Sequence, residues 1–317
     1  MKTEAPSPLT ADELRSEIER LKKEKNALIM AHYYQRDEIQ EIADFIGDSL
    51  ALARQAAKTD ADVILMCGVH FMGETAKILC PEKRVLVPDP EAGCSLADSC
   101  DPEEFARFVE AHPDHTVISY VNTSAAVKAH TDIVVTSGNA RKIVEKLPAE
   151  EKIIFGPDRN LGEYLNCVTG REMLLWHGAC HVHDRFSLDR IMEMKKEHPE
   201  AKILVHPECR RPLQLIADKV GSTAALLDFA REDDAPEYIV VTESGILFEM
   251  RRQCPGKRFL AAPAEDAECQ CNECDYMKLN TLRKVYEALR DDKYEIEVDP
   301  ETAVRAILPI QRMLELS

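Results

Sequence analysis

Residues 27–34, ALIMAHYY, form an apolar run that ends in His32-x-Tyr34, and the same device returns twice. TVIS (116–119) leads to Tyr120-x-Asn122, and KILV (202–205) leads to His206-x-Glu208. Short runs of aliphatic and β-branched residues bounded by Pro, Gly and Asp read as buried strands. Side chains two apart on an extended segment point the same way, so each polar pair can reach one cavity. Seventeen residues beyond His32, Tyr120 and His206 stand Ser49, Ser137 and Thr223. A glutamate follows in each copy (Glu74, Glu163, Glu249), then a short apolar run and a cysteine: Cys94, Cys180 and Cys274. The third cysteine comes later because AEDAECQCNE (264–273) is inserted before it.

Working outward, the first copy adds strand patterns at DVILMC and RVLVP. The second adds DIVVT, KIIFG and EMLLW, and the third YIVVT and RFLAA. Helical patterns of about ten residues separate them, and this alternation predicts an α/β fold of parallel layers. The charged, Pro-bearing stretches EAHPDH and KKEHPE mark boundaries, giving repeats over 27–110, 111–197 and 198–276. Residues 1–26 read as an N-terminal helical extension with Leu14, Ile18 and Leu21 on one face. Residues 277–317 read as two C-terminal helices, MKLNTLRKVYEALRD and PETAVRAILPIQRMLE. The three hydroxyls at Ser49, Ser137 and Thr223 sit where helices start, which predicts N-caps. Three helix N-termini aimed at one centre would favour an anion, through free backbone N–H groups and the helix dipole.

The chain of 317 residues carries a net charge of −17, which argues against a nucleic-acid or anionic-membrane partner. No apolar stretch approaches the 18 residues a membrane span requires. The first 25 residues are charged and lack an apolar signal core, so a cytoplasmic location is expected. In that setting eleven cysteines read as metal ligands or core thiols, not as a disulfide framework. Cys67, Cys80, Cys167 and Cys254 fall in strand or late-helix patterns and are expected to fill the core. CQCNEC (269–274) has the spacing of half a zinc or iron–sulfur site, and a redox pair involving Cys269 or Cys271 is a further reading. One cysteine per repeat meeting at a common point gives three thiolates. Zinc would then have a fourth position to fill, and a four-iron cluster would keep one iron without a protein ligand.

The motifs AHYYQ, GDSL, GVHFMGETAKIL, AGCSLAD, YVNTSAAVKA, VVTSGNA, FGPDRNLGEY, WHGACHVHDRF, LVHPEC, VGST and the closing CNECDYMKLN occur in order between residues 31 and 280. This set resembles the quinolinate synthase family. The resemblance implies three pseudo-threefold-related three-layer αβα domains with parallel sheets and an active site at their central junction. It implies condensation of iminoaspartate with dihydroxyacetone phosphate in de novo NAD biosynthesis, with functional coupling to aspartate oxidase. A [4Fe-4S] cluster would be held by Cys94, Cys180 and Cys274 with one open iron acting as Lewis acid. Substrate-binding positions carried over by the resemblance are His32, Ser49, Tyr120, Asn122, Ser137, His206, Glu208 and Thr223, and Tyr34 matches a catalytic tyrosine. For proton transfer the sequence nominates Glu208, Tyr34 and His206, on the ground that His and Glu in a dry pocket can titrate near neutrality. His181 and His183 are expected beside the metal. Cys-x-Cys-x-x-Cys at 269–274 departs from the pattern of some relatives and leaves Cys269 and Cys271 without a role. Two rival readings are another [4Fe-4S] hydro-lyase, and an iron–sulfur carrier or scaffold.

Overall fold

The computed structural model describes residues 9–265 and 272–317, so Cys269 and Cys271 lie outside the described residues. Its strands form three four-stranded sheets. The first contains β1 (Ala27–His32), β2 (Phe45–Gly47), β3 (Val63–Cys67) and β4 (Arg84–Leu86). The second contains β5 (Thr116–Tyr120), β6 (Ile133–Val135), β7 (Ile153–Gly156) and β8 (Leu174–Leu175). The third contains β9 (Lys202–Val205), β10 (Lys219–Val220), β11 (Glu237–Val241) and β12 (Arg258–Ala261). All pairings within them are parallel, and each sheet has its second strand at one edge, then the first, third and fourth.

The register repeats as closely as the order does. Met30 faces Phe45, Ile118 faces Ile133 and Leu204 faces Lys219, fifteen residues on in every copy. Parallel neighbours need crossover connections. The helices Ser49–Ala56, Ala140–Lys146 and Thr223–Glu232 carry the chain from the second strand to the third.

Strand alternation decides which core each residue enters. In β1, Ile29 and Ala31 join Leu14, Ile18 and Leu21 of the helix Ala11–Glu24, together with Val285, Ala288 and Leu289 of the helix Leu282–Asp291. Met30 points the other way, into a core that also holds Ile118 and Phe155 of the second sheet. Full burial of such aliphatic side chains contributes about 1.5–3 kcal/mol each. Thr10 and Glu13 close the first turn of Ala11–Glu24 as a capping box. The long helix Pro300–Leu316 packs against β6 and against the helices Ala125–Lys128 and His70–Leu79, so it joins the first two sheets.

The structure departs from the sequence expectations in four places. β2 and β10 were not anticipated, because three and two residues are too short to show a period. EMLLW yields only Leu174–Leu175 as strand. The first C-terminal helix is split into Asp275–Lys278, which ends at Leu279, and Leu282–Asp291, which Thr281 caps. Cys167 is exposed on the helix Arg159–Thr169, not packed in a core.

A repeated aspartate holds the short edge strands. The carboxylates of Asp44, Asp132 and Asp218 accept the N–H of Ile29, Val117 and Ile203 at 2.9, 2.8 and 2.7 Å. Each aspartate also donates its own N–H to the carbonyl of that same residue. Replacing Asp132 by Ala should therefore lower stability by about 1 kcal/mol, whereas Asn, which keeps an acceptor oxygen, should lose less. Urea unfolding of the two variants beside wild type measures the difference.

Candidate active site

In each sheet the chain turns to one side for the second strand and to the other for the third. The carboxyl end of the first strand therefore lies at a topological switch point, where parallel α/β sheets take ligands. His32 and Tyr120 are the last residues of β1 and β5, and His206 follows β9 directly. A cavity opens there, and the side chains around it come from all three sheets. All twelve residues nominated from the sequence line it: His32, Tyr34, Ser49, Cys94, Tyr120, Asn122, Ser137, Cys180, His206, Glu208, Thr223 and Cys274. Asp48, Phe71, Met72, His183 and Glu243 line it as well. The glutamate markers do not. Glu74 accepts the Ala125 N–H, Glu163 is exposed, and buried Glu249 bonds Arg252 and Gln253.

The expected N-caps move by one residue. Asp48 caps the helix Ser49–Ala56 and Ser222 caps Thr223–Glu232, so Ser49 and Thr223 occupy the first helical position. That frees their hydroxyls for the cavity while the helix N–H groups stay behind them. Ser137 stands three residues before the helix Ala140–Lys146, in a turn held by Asn139. Only two of the three hydroxyls therefore sit on a helix terminus.

The first and third copies orient their histidines alike. The Tyr34 N–H donates to His32 Nδ1 at 3.2 Å, and the Glu208 N–H donates to His206 Nδ1 at 3.4 Å. An Nδ1 that accepts leaves the proton on Nε2. Burial drives both imidazoles down to about 3, so they are neutral donors. Burial works against the Glu208 carboxylate, yet the hydrogen bonds of His183 and the Tyr120 hydroxyl outweigh it and hold the group below the usual carboxylate range. The sequence expected His206 and Glu208 to titrate near neutrality; desolvation of the imidazole and donors around the carboxylate push both well below it.

Hydrogen bonds link the units across the cavity. Glu208 meets the Tyr120 hydroxyl at 2.5 Å and His183 Nδ1 at 3.0 Å. His183 Nε2 lies 2.9 Å from the Thr242 hydroxyl, which lies 2.7 Å from the Tyr34 hydroxyl. Tyr34 also contacts Thr223 at 2.8 Å, and burial keeps its phenol protonated. Gly245 lets this tyrosine in: a Cβ there would stand 2.8 Å from the Tyr34 backbone.

Cys94 and Cys274 immediately precede the short helices Ser95–Asp98 and Asp275–Lys278. Burial raises their thiols to about 12 and about 11, while backbone N–H groups of those helices work in the opposite sense. Cys180 is raised further, by burial and by the charge of Glu208. The three sulfurs act on one another electrostatically, and all three are free thiols. Asp158 and Glu243 accept the backbone N–H of Cys180 and Cys274 at 3.3 and 3.1 Å, fixing where those side chains start. Ligand atoms of Cys180, His183 and Glu208 lie within 4.8 Å of one another. Clustered thiols that burial keeps protonated become thiolates when a cation meets them, so this donor set fits a metal cofactor.

Sequence reasoning missed Thr242, Glu243 and Asp48. The rule that found His32-x-Tyr34 was applied to one strand per copy. Applied to β11, which Thr242 and Glu243 follow directly, it would have found two of the three; Asp48 follows β2, which showed no strand pattern.

Three parallel sheets whose strand ends supply one thiol-bearing cavity define an α/β enzyme with a site fit for a metal. Residues 16–315 match the family described as quinolinate synthetase A protein. A quinolinate synthase of Microcystis aeruginosa is 56% identical over 306 residues, covering 96% of each chain. One of Thermosynechococcus vestitus is 54% identical, covering 99% of this chain and 98% of its own. One of Chloroherpeton thalassium is 53% identical, covering 98% and 97%. The chain belongs to the quinolinate synthetase A family.

Thr242→Val should leave His183 Nε2 without its partner at a cost of about 1–3 kcal/mol, while Thr242→Ser should retain the bond. Melting temperatures of the two variants, measured side by side, test this.

Proposed function

We propose that the chain condenses iminoaspartate with dihydroxyacetone phosphate to give quinolinate, inorganic phosphate and two waters. One C–C and one C–N bond form, and no oxidant is needed. The observation that carries this reading is the cavity itself. Neutral Nε2–H donors, hydroxyls and the ionised carboxylate of Glu208 surround it, with Asp48, Glu243 and three thiols on the same lining. The division into repeats at 27–110, 111–197 and 198–276, flanked by 1–26 and 277–317, belongs to the same reading. So does action in the cytoplasm; among the described residues no helix is long and apolar enough to cross a membrane. Imines hydrolyse in water, so supply of iminoaspartate by aspartate oxidase is part of the proposal.

Cys94, Cys180 and Cys274 would hold a [4Fe-4S] cluster. When bound, it supplies an iron without a protein ligand that can act as a Lewis acid toward a substrate oxygen. The protein does the rest. Ser49 and Thr223 hold carboxylate or phosphate oxygens in front of their helix N-termini, and Ser137 adds a third hydroxyl. His32 and His206 donate Nε2–H to the same anions, and Tyr120 and Asn122 complete the binding set. Glu208, the ionised carboxylate bonded to Tyr120 and His183, is the group assigned to accept a substrate proton. Tyr34 keeps its proton and serves as the acid, with Thr242 and His183 aligned behind it. His206 connects Glu208 to Ser137, whose hydroxyl lies 3.2 Å from its Nε2.

Alanine at Cys94, Cys180 or Cys274 should each lower iron content and abolish quinolinate formation under anaerobic conditions. Full activity in any one would remove that residue from the metal site. Glu208→Gln should keep the iron and lower kcat about 100-fold or more; unchanged kcat would remove Glu208 as the base. Omitting dihydroxyacetone phosphate should stop turnover, which a hydro-lyase acting on the dicarboxylate alone would not show.

A further inference from the structure

Lys128 ends the short helix Ala125–Lys128 and is wholly buried. A lysine is seldom buried without a carboxylate partner. This one gives its hydrogen bonds to two carbonyls, those of Val121 (2.8 Å) and Thr123. Its ammonium also lies 5.4 Å from the centre of the Phe71 ring. Glu74 acts on it only through space, being engaged by the Ala125 N–H at 3.0 Å.

Two features tie this buried cation to the cavity. The segment it grips from both sides, 121–123, carries Asn122, which lines the cavity and whose buried Oδ1 has no partner. Phe71 lines the cavity too, so the ammonium stands directly behind its wall. The charged side chains on the described lining are Asp48, Glu208 and Glu243, with no Lys or Arg among them. Lys278, close by, is occupied by Glu243 at 2.9 Å. A cavity with such a lining repels an anion unless a cation stands close behind it.

We infer that Lys128 is a positioning residue for an anionic substrate: its ammonium clamps residues 121–123 so that Asn122 faces the ligand, and it lends the cavity the positive field that the lining lacks. This rests on the function proposed above, in which both substrates are anions. Burial pulls the ammonium down to about 8, with Glu74 and Cys94 opposing, which leaves it charged at neutral pH.

The test is calorimetric titration of the reconstituted, anaerobic protein with quinolinate and with its mono-amide, which carries one charge fewer. Wild type should bind the dianion at least about tenfold more tightly. Lys128→Met and Lys128→Gln should each lose about tenfold on quinolinate and less than about twofold on the mono-amide. Gln retains a donor for the carbonyls, so iron content and melting temperature of K128Q should match wild type. Equal losses for both ligands, unchanged quinolinate binding, or no preference in wild type would each overturn the inference. The last comparison decides it even if the variants do not fold. A wild type that makes no quinolinate would sink the proposed function instead. A wild type that makes it while K128Q binds like wild type sinks only the role of Lys128.

Discussion

A carboxylate removed from water must find donors, and Glu208 finds them in another part of the chain. It follows β9 of the third sheet, yet its oxygens meet Tyr120, which ends β5, and His183, which follows β8 of the second. Its backbone carbonyl also takes the Asn160 amide at 3.0 Å. Breaking one side of such a buried pair leaves an uncompensated charge, so the second and third sheets are held in one relation. Tyr34 does the same between the first sheet and the third, through Thr223 and Thr242. The cavity exists because these contacts cannot be satisfied inside any one repeat.

The repeats make those contacts reproducible. An aspartate bonds the first strand of every sheet, the register to the second strand is the same in all three, and the polar residues therefore leave each strand end at equivalent places. Divergence is confined to what stands at those places. The first copy offers His32 and Tyr34, the second Tyr120 and Asn122, the third His206 and Glu208. A symmetric scaffold thus yields an asymmetric cavity, as a reaction between two different substrates requires.

Much of this was legible in the residues. Apolar runs with β-branched side chains gave β1, β3 to β7, β9, β11 and β12, because buried parallel strands announce themselves by hydrophobicity. Six of the twelve cavity residues were legible because polar groups directly after an apolar run have few other uses, and the three hydroxyls and three cysteines because their spacing repeats. β2 and β10 were not, since FIG and KV lack the continuous β-branched run that IVV gives β6. Protonation was not legible either. Whether an imidazole is neutral depends on who surrounds it, and neighbours of His206 and Glu208 such as Ser137 and Tyr120 come from 69 and 88 positions away. The role of Lys128 was hidden for a related reason: a lysine in YVNTSAAVKA reads as surface until its burial is seen.

The helix Leu282–Asp291 covers the first sheet beside the helix Ala11–Glu24. During synthesis, then, Ile29, Leu65 and their neighbours have one face open to water until nearly the whole polypeptide has left the ribosome. The third sheet closes over nearer stretches of chain and can settle earlier, whereas the second waits for the helix Pro300–Leu316 that packs on β6. The segment translated first is thus among the last to be sealed, and a chaperone that shields exposed aliphatic surface would find its longest-lived target there.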